Sequence, residues 1–135
     1  MTASSTPRVA QLRAAAFSTF VLSATATFAA DYIPLDESAL RSAVTGKTVR
    51  LETSIGAIPI SFRADGTMIG RSAELANYLG RSFDTGAWWI ASNQLCQKWK
   101  MWMDAKPYCF TLKQAGEKVQ WIRDDGLKGT LVVSN

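Results

Sequence analysis

Two Asp-Gly dipeptides, Asp65-Gly66 and Asp125-Gly126, stand between runs in which apolar and polar residues alternate. Alternation of period two turns one face of an extended chain toward a core and the other toward water. Asp-Gly is among the strongest hairpin signals, because its preferred two-residue turn needs positive φ at both central positions. Such runs, joined mostly by tight turns, commit a chain to antiparallel pairing, since parallel strands need long crossovers. Val49 and Leu51 carry the pattern first, and Ile58, Ile60 and Phe62 continue it beyond a turn at Gly56. Pro59 has no N–H to give a ladder and belongs at an edge or a bulge. Residues 67–70 return after Asp65-Gly66.

The run then repeats through the aromatic stretch from Gly86 to Phe110, which holds four of the five tryptophans and both cysteines. Residues 88–91 read as a strand and Ser92-Asn93 as a turn. Leu95, Gln97, Trp99, Met101 and Met103 alternate with Cys96, Lys98, Lys100 and Trp102. A helix over 95–103 stays open, because Leu95, Trp99 and Trp102 lie roughly on one side. Residues 104–106 reverse the chain, 108–113 return, Ala115-Gly116 turns, and 119–123 and 127–133 form the last hairpin. The sum is a mainly β fold, an antiparallel meander of about eight strands. A meander of this size buries its inner face and removes its bare edges by curling into a small barrel or half-barrel.

One short helix precedes the strands. Asp36 suits its N-cap, Glu37 its first turn, Leu35 a staple to Leu40, and Gly46 its stop. Leu40, Ala43 and Val44 share its apolar face. Residues 72–79 are ambiguous and read as a helical turn or packed loop, with Ser72 as cap and Gly80 as stop.

The first thirty residues follow a different plan. Positions 1–13 are polar with only positive charge, 14–26 are apolar around Phe17, Phe20, Val21 and Leu22, and small residues lead to Asp31. This is the order of a secretory signal, cleaved after Ala29 or Ala30. The apolar run falls short of the roughly 20 residues that span a bilayer. Residues 1–29 are therefore read as signal peptide and 30–135 as a single domain, with no stable membrane span after processing and a periplasmic or secreted destination.

In an oxidising compartment an even pair of cysteines reads as a bridge. Cys96 and Cys109 flank the reversal near Asp104, on strands that should be neighbours. A redox motif would need closer spacing, and a metal site more soft ligands.

Little catalytic chemistry is on offer. The chain has no histidine, which removes the commonest general base and a common zinc ligand together. Asp65, Asp104 and Asp125 sit where turns want Asp. Asp124-Asp125 is an adjacent pair, not two carboxyls across a cleft. No phosphate-binding glycine loop or zinc-protease signature occurs, although a Ser-Lys pair stays open. A net charge of +4, spread along the chain and partly in the leader, is too diffuse for nucleic acid. The sequence is read as a non-catalytic protein without metal or other cofactor.

Indoles can instead line an apolar calyx or stack on a ligand, or simply fill a small core. The candidate binding residues are Trp88, Trp89, Trp99, Trp102 and Tyr108. Trp88 and Trp89 must face opposite sides of their strand, as must Trp99 and Trp102 if one regular strand holds both. Half of the tryptophans should then point outward. The ligand would be small and apolar or sugar-like; the alternative partner is another envelope protein, with no small-molecule site.

The order Gly66-Thr67, Gly86-x-Trp88, Leu95-Cys96-x-x-Trp99 and a closing Cys109 resembles small exported proteins of proteobacteria to which no activity is assigned. The likeness covers roughly 48–133. It implies an envelope location and a Cys96–Cys109 bridge, and carries over no catalytic residues.

Overall fold

The computed structural model describes residues 31–134 without a break, together with 2–5, 10, 15–18 and 20–23. The proposed cleavage points after Ala29 and Ala30 lie outside the described residues. Ahead of the unbroken stretch, Phe17, Phe20, Val21 and Leu22 stand exposed and add nothing to the core. Among the described residues no helix is long and apolar enough to cross a membrane.

Eight strands form the wall: β2 Thr48–Thr53, β3 Gly56–Phe62, β4 Thr67–Arg71, β5 Phe83–Ala91, β6 Gln94–Trp99, β7 Pro107–Ala115, β8 Lys118–Arg123 and β9 Lys128–Ser134. Each pairs antiparallel with the next, and β9 pairs back onto β2, so the meander closes into a barrel. A ninth, two-residue strand, β1 Ile33–Pro34, precedes them and pairs with the end of β7 that β6 does not reach. Pro59 lies on β3 before its pairing with β4 begins at Ile60, so its missing donor meets a free edge.

The period-two pattern decides what is inside. Val49, Ile60, Phe62, Met68, Trp88, Leu95, Trp99, Phe110, Leu112, Trp121 and Leu131 point inward and are buried. Helix α1 Glu37–Val44 plugs one end of the barrel with Leu40 and Val44, both at most 1 % exposed. Asp36 Oδ1 caps it by accepting from Ala39 N at 2.8 Å. Asn93, at the tip of the β5–β6 turn, accepts from Glu37 N at 3.0 Å and ties the helix start to the barrel rim. At the opposite end, residues 72–79 fold as a short helical segment, α2 Ala76–Leu79, ended by Gly80 with positive φ. Ser72 Oγ accepts from Leu75 N there.

Two local readings are corrected. Both Asp-Gly hairpins use one more residue than a two-residue turn. Only the glycine has positive φ; its N–H reaches the arginine three residues back, and the aspartate side chain accepts from the residue after glycine. This is a type I turn with a glycine bulge, which also suits the strand twist. The two-residue turn with both φ positive occurs at Ser92-Asn93 instead. Second, the alternating run 95–103 is a strand only to Trp99. Trp102–Ala105 forms a short 3-10 turn in which Met103, Asp104 and Ala105 have positive φ.

Cys96 and Cys109 face each other in register on β6 and β7 and form a disulfide on the outer wall.

Candidate functional site

The end of the barrel opposite α1 is not filled. A cavity of about 210 Å³ lies there, bounded by the β2–β3 turn, α2, the 102–105 turn and the β8–β9 hairpin. Its walls are Trp99, Trp102, Trp121 and Phe110, with Ile58 and Ile60 from β3 and Leu51 from β2. Trp99 and Trp102 meet with ring centroids 4.8 Å apart, and Trp121 meets Phe110 edge-on at 5.7 Å.

Two of these indoles are held, not merely packed. Trp102 Nε1 donates to Arg81 O at 2.9 Å and Trp121 Nε1 to Thr130 O at 3.1 Å. Glycines make room for them. A Cβ at Gly70 would lie 2.3 Å from Trp102 Cζ3, and one at Gly129 would lie 2.8 Å from Trp121 Cζ2. Asp84, 2 % exposed, fixes the turn that delivers Trp102. Its Oδ2 accepts from Met101 N and Trp102 N at 2.8 Å each, and Oδ1 from Thr85 N at 2.9 Å.

Five polar residues line this otherwise apolar room: Thr53 and Ser54 at the β2–β3 turn, Gln97, Arg123 and Lys128. Gln97 is 4 % exposed and lines both the cavity and a deeper gap of about 20 Å³ beneath it, where every other lining residue is apolar. Its amide has no side-chain hydrogen-bond partner among the described residues, and it is not sealed off in the wall as the Thr45 hydroxyl is. The amide therefore faces the space. Arg123 and Lys128 line the cavity from the β8–β9 hairpin. Among the described residues no carboxylate lines it. The Arg123 guanidinium lies over the Tyr108 ring, 4.4 Å from its centroid, and donates from Nε to Asp125 Oδ1 at 2.8 Å. That pairing raises the Arg123 pKa and holds the Asp125 carboxyl down at about 2.

No family profile, curated protein or solved structure matches this chain.

The geometry divides the five residues singled out in the sequence. Trp99 and Trp102 stand in the cavity wall. Tyr108 supports Arg123 from beneath without lining the cavity. Trp88 is buried elsewhere, with Nε1 donating to Arg63 O at 2.8 Å and its ring edge-on to Phe62. Trp89 faces outward, 39 % exposed, beside a shallow depression that Lys98 and Lys100 also border. The opposite-face reading of Trp88 and Trp89 therefore holds. The reading that half of the tryptophans point outward does not. The chain leaves the strand after Trp99, and Trp102 turns inward with it.

Trp121, Gln97, Arg123 and Lys128 are the residues the sequence reading left out of the site. For the first three the signal was parity. Gln97 shares its face with Leu95 and Trp99, and Arg123 shares its face with Val119 and Trp121, so each is a polar residue on an apolar stripe. Among the described residues no group of three or more Cys, Asp or Glu is placed to hold a metal ion.

Proposed function

We propose that the protein is a non-catalytic binding module of the bacterial envelope, exported by a signal at residues 1–29, which takes a small, mostly apolar ligand into the barrel mouth. The observation that carries this reading is the cavity of about 210 Å³ walled by three indoles, two of them fixed by hydrogen bonds. A chain selected only for stability would fill it, because unfilled apolar space costs packing energy. Its scale suits a ligand smaller than the drug-sized molecules that occupy pockets of roughly 300–1,000 Å³. The resemblance to exported proteobacterial proteins and the outer-wall disulfide support the envelope location.

Titration with benzyl alcohol, followed by tryptophan fluorescence and by calorimetry, tests the site. Saturable binding that is lost in Leu79→Trp, which adds an indole at the cavity lip, is the expected result. Equal response in the two proteins would sink it. Intact mass of the periplasmic fraction tests the destination, with a mature chain beginning at Ala30 or Asp31 expected.

One observation favours a second reading, contact with another envelope protein: Trp89 is exposed among Lys98 and Lys100. Capture of an envelope protein by the wild type and not by Trp89→Ala, with the cavity still competent, would select it.

A further inference from the structure

We infer that the cavity is built for a small aromatic acid, its carboxylate at the rim against Arg123 and Lys128 and its ring between the indoles. A hydrogen-bonding group at the far end of that ring meets Gln97. The inference rests on the binding reading above and adds the chemical class.

Three independent features point to it. The first is charge. The cavity lining carries two cations and, among the described residues, no acid. Asp125 engages Arg123 through Nε and Nη2, which leaves Nη1 uncommitted by any described residue. Lys128 makes no ion pair with a described residue. A carboxylate at the rim meets both donors, and hydrogen bonds between ionised groups are stronger than neutral ones.

The second is shape. An apolar cavity of roughly 150 Å³ takes a benzene ring, so about 210 Å³ leaves room for a ring and a small head group. The indole faces of Trp102 and Trp121, each pinned by its own N–H, and that of Trp99 packed against Trp102 favour a flat partner through offset and edge contacts. A long acyl chain has no space.

The third is Gln97. The Gln97 amide has no side-chain partner among the described residues and faces the cavity, so a ligand group can take up its hydrogen bonds. Aimed from the floor of an apolar cavity, it is a recognition group for a hydroxyl or carbonyl arriving from above. Together the floor amide and rim cations fix both the polarity and the direction of the ligand.

The test compares four probes on the full mature chain by calorimetry: benzyl alcohol, benzoate, 4-hydroxybenzoate and hexanoate. Benzoate should bind about tenfold or more tightly than benzyl alcohol, the scale of one charge-assisted hydrogen bond. That preference should shrink in Lys128→Met and in Arg123→Met. Lys128 is exposed at the rim, so its replacement reads out charge even if the Arg123 variant unfolds. 4-Hydroxybenzoate should exceed benzoate in the wild type and lose that advantage in Gln97→Leu. Hexanoate should bind more weakly than benzoate. Benzyl alcohol binding as well as benzoate would overturn the acid while leaving the cavity a ligand site. Hexanoate matching benzoate would overturn the aromatic body, and an unchanged hydroxyl preference in Gln97→Leu would overturn the orientation. Binding of none of the four would overturn the class and the binding reading together.

Discussion

Trp88 and Trp89 are neighbours in the chain and face different surroundings. Trp88 is 6 % exposed with a satisfied N–H; Trp89 is 39 % exposed. Trp88→Ala should destabilise the domain by roughly 3–5 kcal/mol, the range of large core truncations. Trp89→Ala should stay within about 1 kcal/mol. Urea unfolding of both variants checks the split, and equal losses would mean that the outer face is covered. The glycines opposite the indoles make the converse case. Gly70→Ala puts a methyl where Trp102 and Trp99 already are. It should cost about 1–3 kcal/mol through overpacking, whereas alanine at an unhindered strand position would stabilise by roughly 0.5–1 kcal/mol. That Trp88 and Trp89 part company was legible, since strand geometry alone requires it. Which of them is core was not, because parity has no sign until the barrel closes. The pairing of Gly70 with Trp102 was equally hidden, as nothing local links positions so far apart.

At the level of elements, strands and turns were read well where local chemistry decides them. The α1 cap, the alternating runs and both Asp-Gly reversals needed only neighbouring residues. The end of β6 needed a distant one. Asp84 takes the N–H groups of Met101 and Trp102 out of any ladder, and that hydrogen bond spans 18 positions for Trp102. Asp84→Ala should therefore free the turn. We expect a loss of about 3 kcal/mol, as hydrogen bonds to a buried charge are worth more than neutral ones. Acrylamide should also quench tryptophan emission more strongly as Trp102 loosens. Unchanged quenching would show that packing alone holds the turn. The β8–β9 hairpin has its own acid signature. Asp125 has a folded pKa of about 2, below the ordinary 3.8, chiefly through its hydrogen bond to Arg123. A depressed carboxyl stabilises the fold fully above its unfolded value and ceases to do so as pH falls through the folded one. Asp125 should thus support the hairpin at neutral pH and release it between about pH 4 and 2. Carboxyl chemical shifts followed through an acid titration measure this, and a midpoint near 3.8 would refute it.

The molecule as a whole is a closed wall with one plugged end, one unfilled end and a bridge across two adjacent strands. Cys96 and Cys109 are 13 positions apart. In the chain-entropy account a loop of that size stabilises by about 3 kcal/mol, a large share of a small domain's total. Reduction should lower the melting temperature by roughly 10 °C or more, measured by thermal melts with and without reductant. A shift of only a degree or two would assign the bridge a local role. Closure itself was foreseen as barrel or half-barrel, because a meander pattern does not say whether its last strand reaches its first. It does: Ser134 Oγ donates to Thr48 O across 86 positions of sequence. That seam sets an order in time. β2 is made early and must wait for β9, and contacts of such long range place folding in the slow, millisecond-to-second regime. Until β9 docks, the free sides of β2 and β8 are open to other chains. Leu127 and Lys128 of the cavity, and Gly129 beneath Trp121, arrive in the same step. A nascent chain therefore loses its tendency to aggregate and acquires its cavity in one event, so any small molecule the barrel accepts would act on newly made chains as a folding ligand, pulling the slow seam shut.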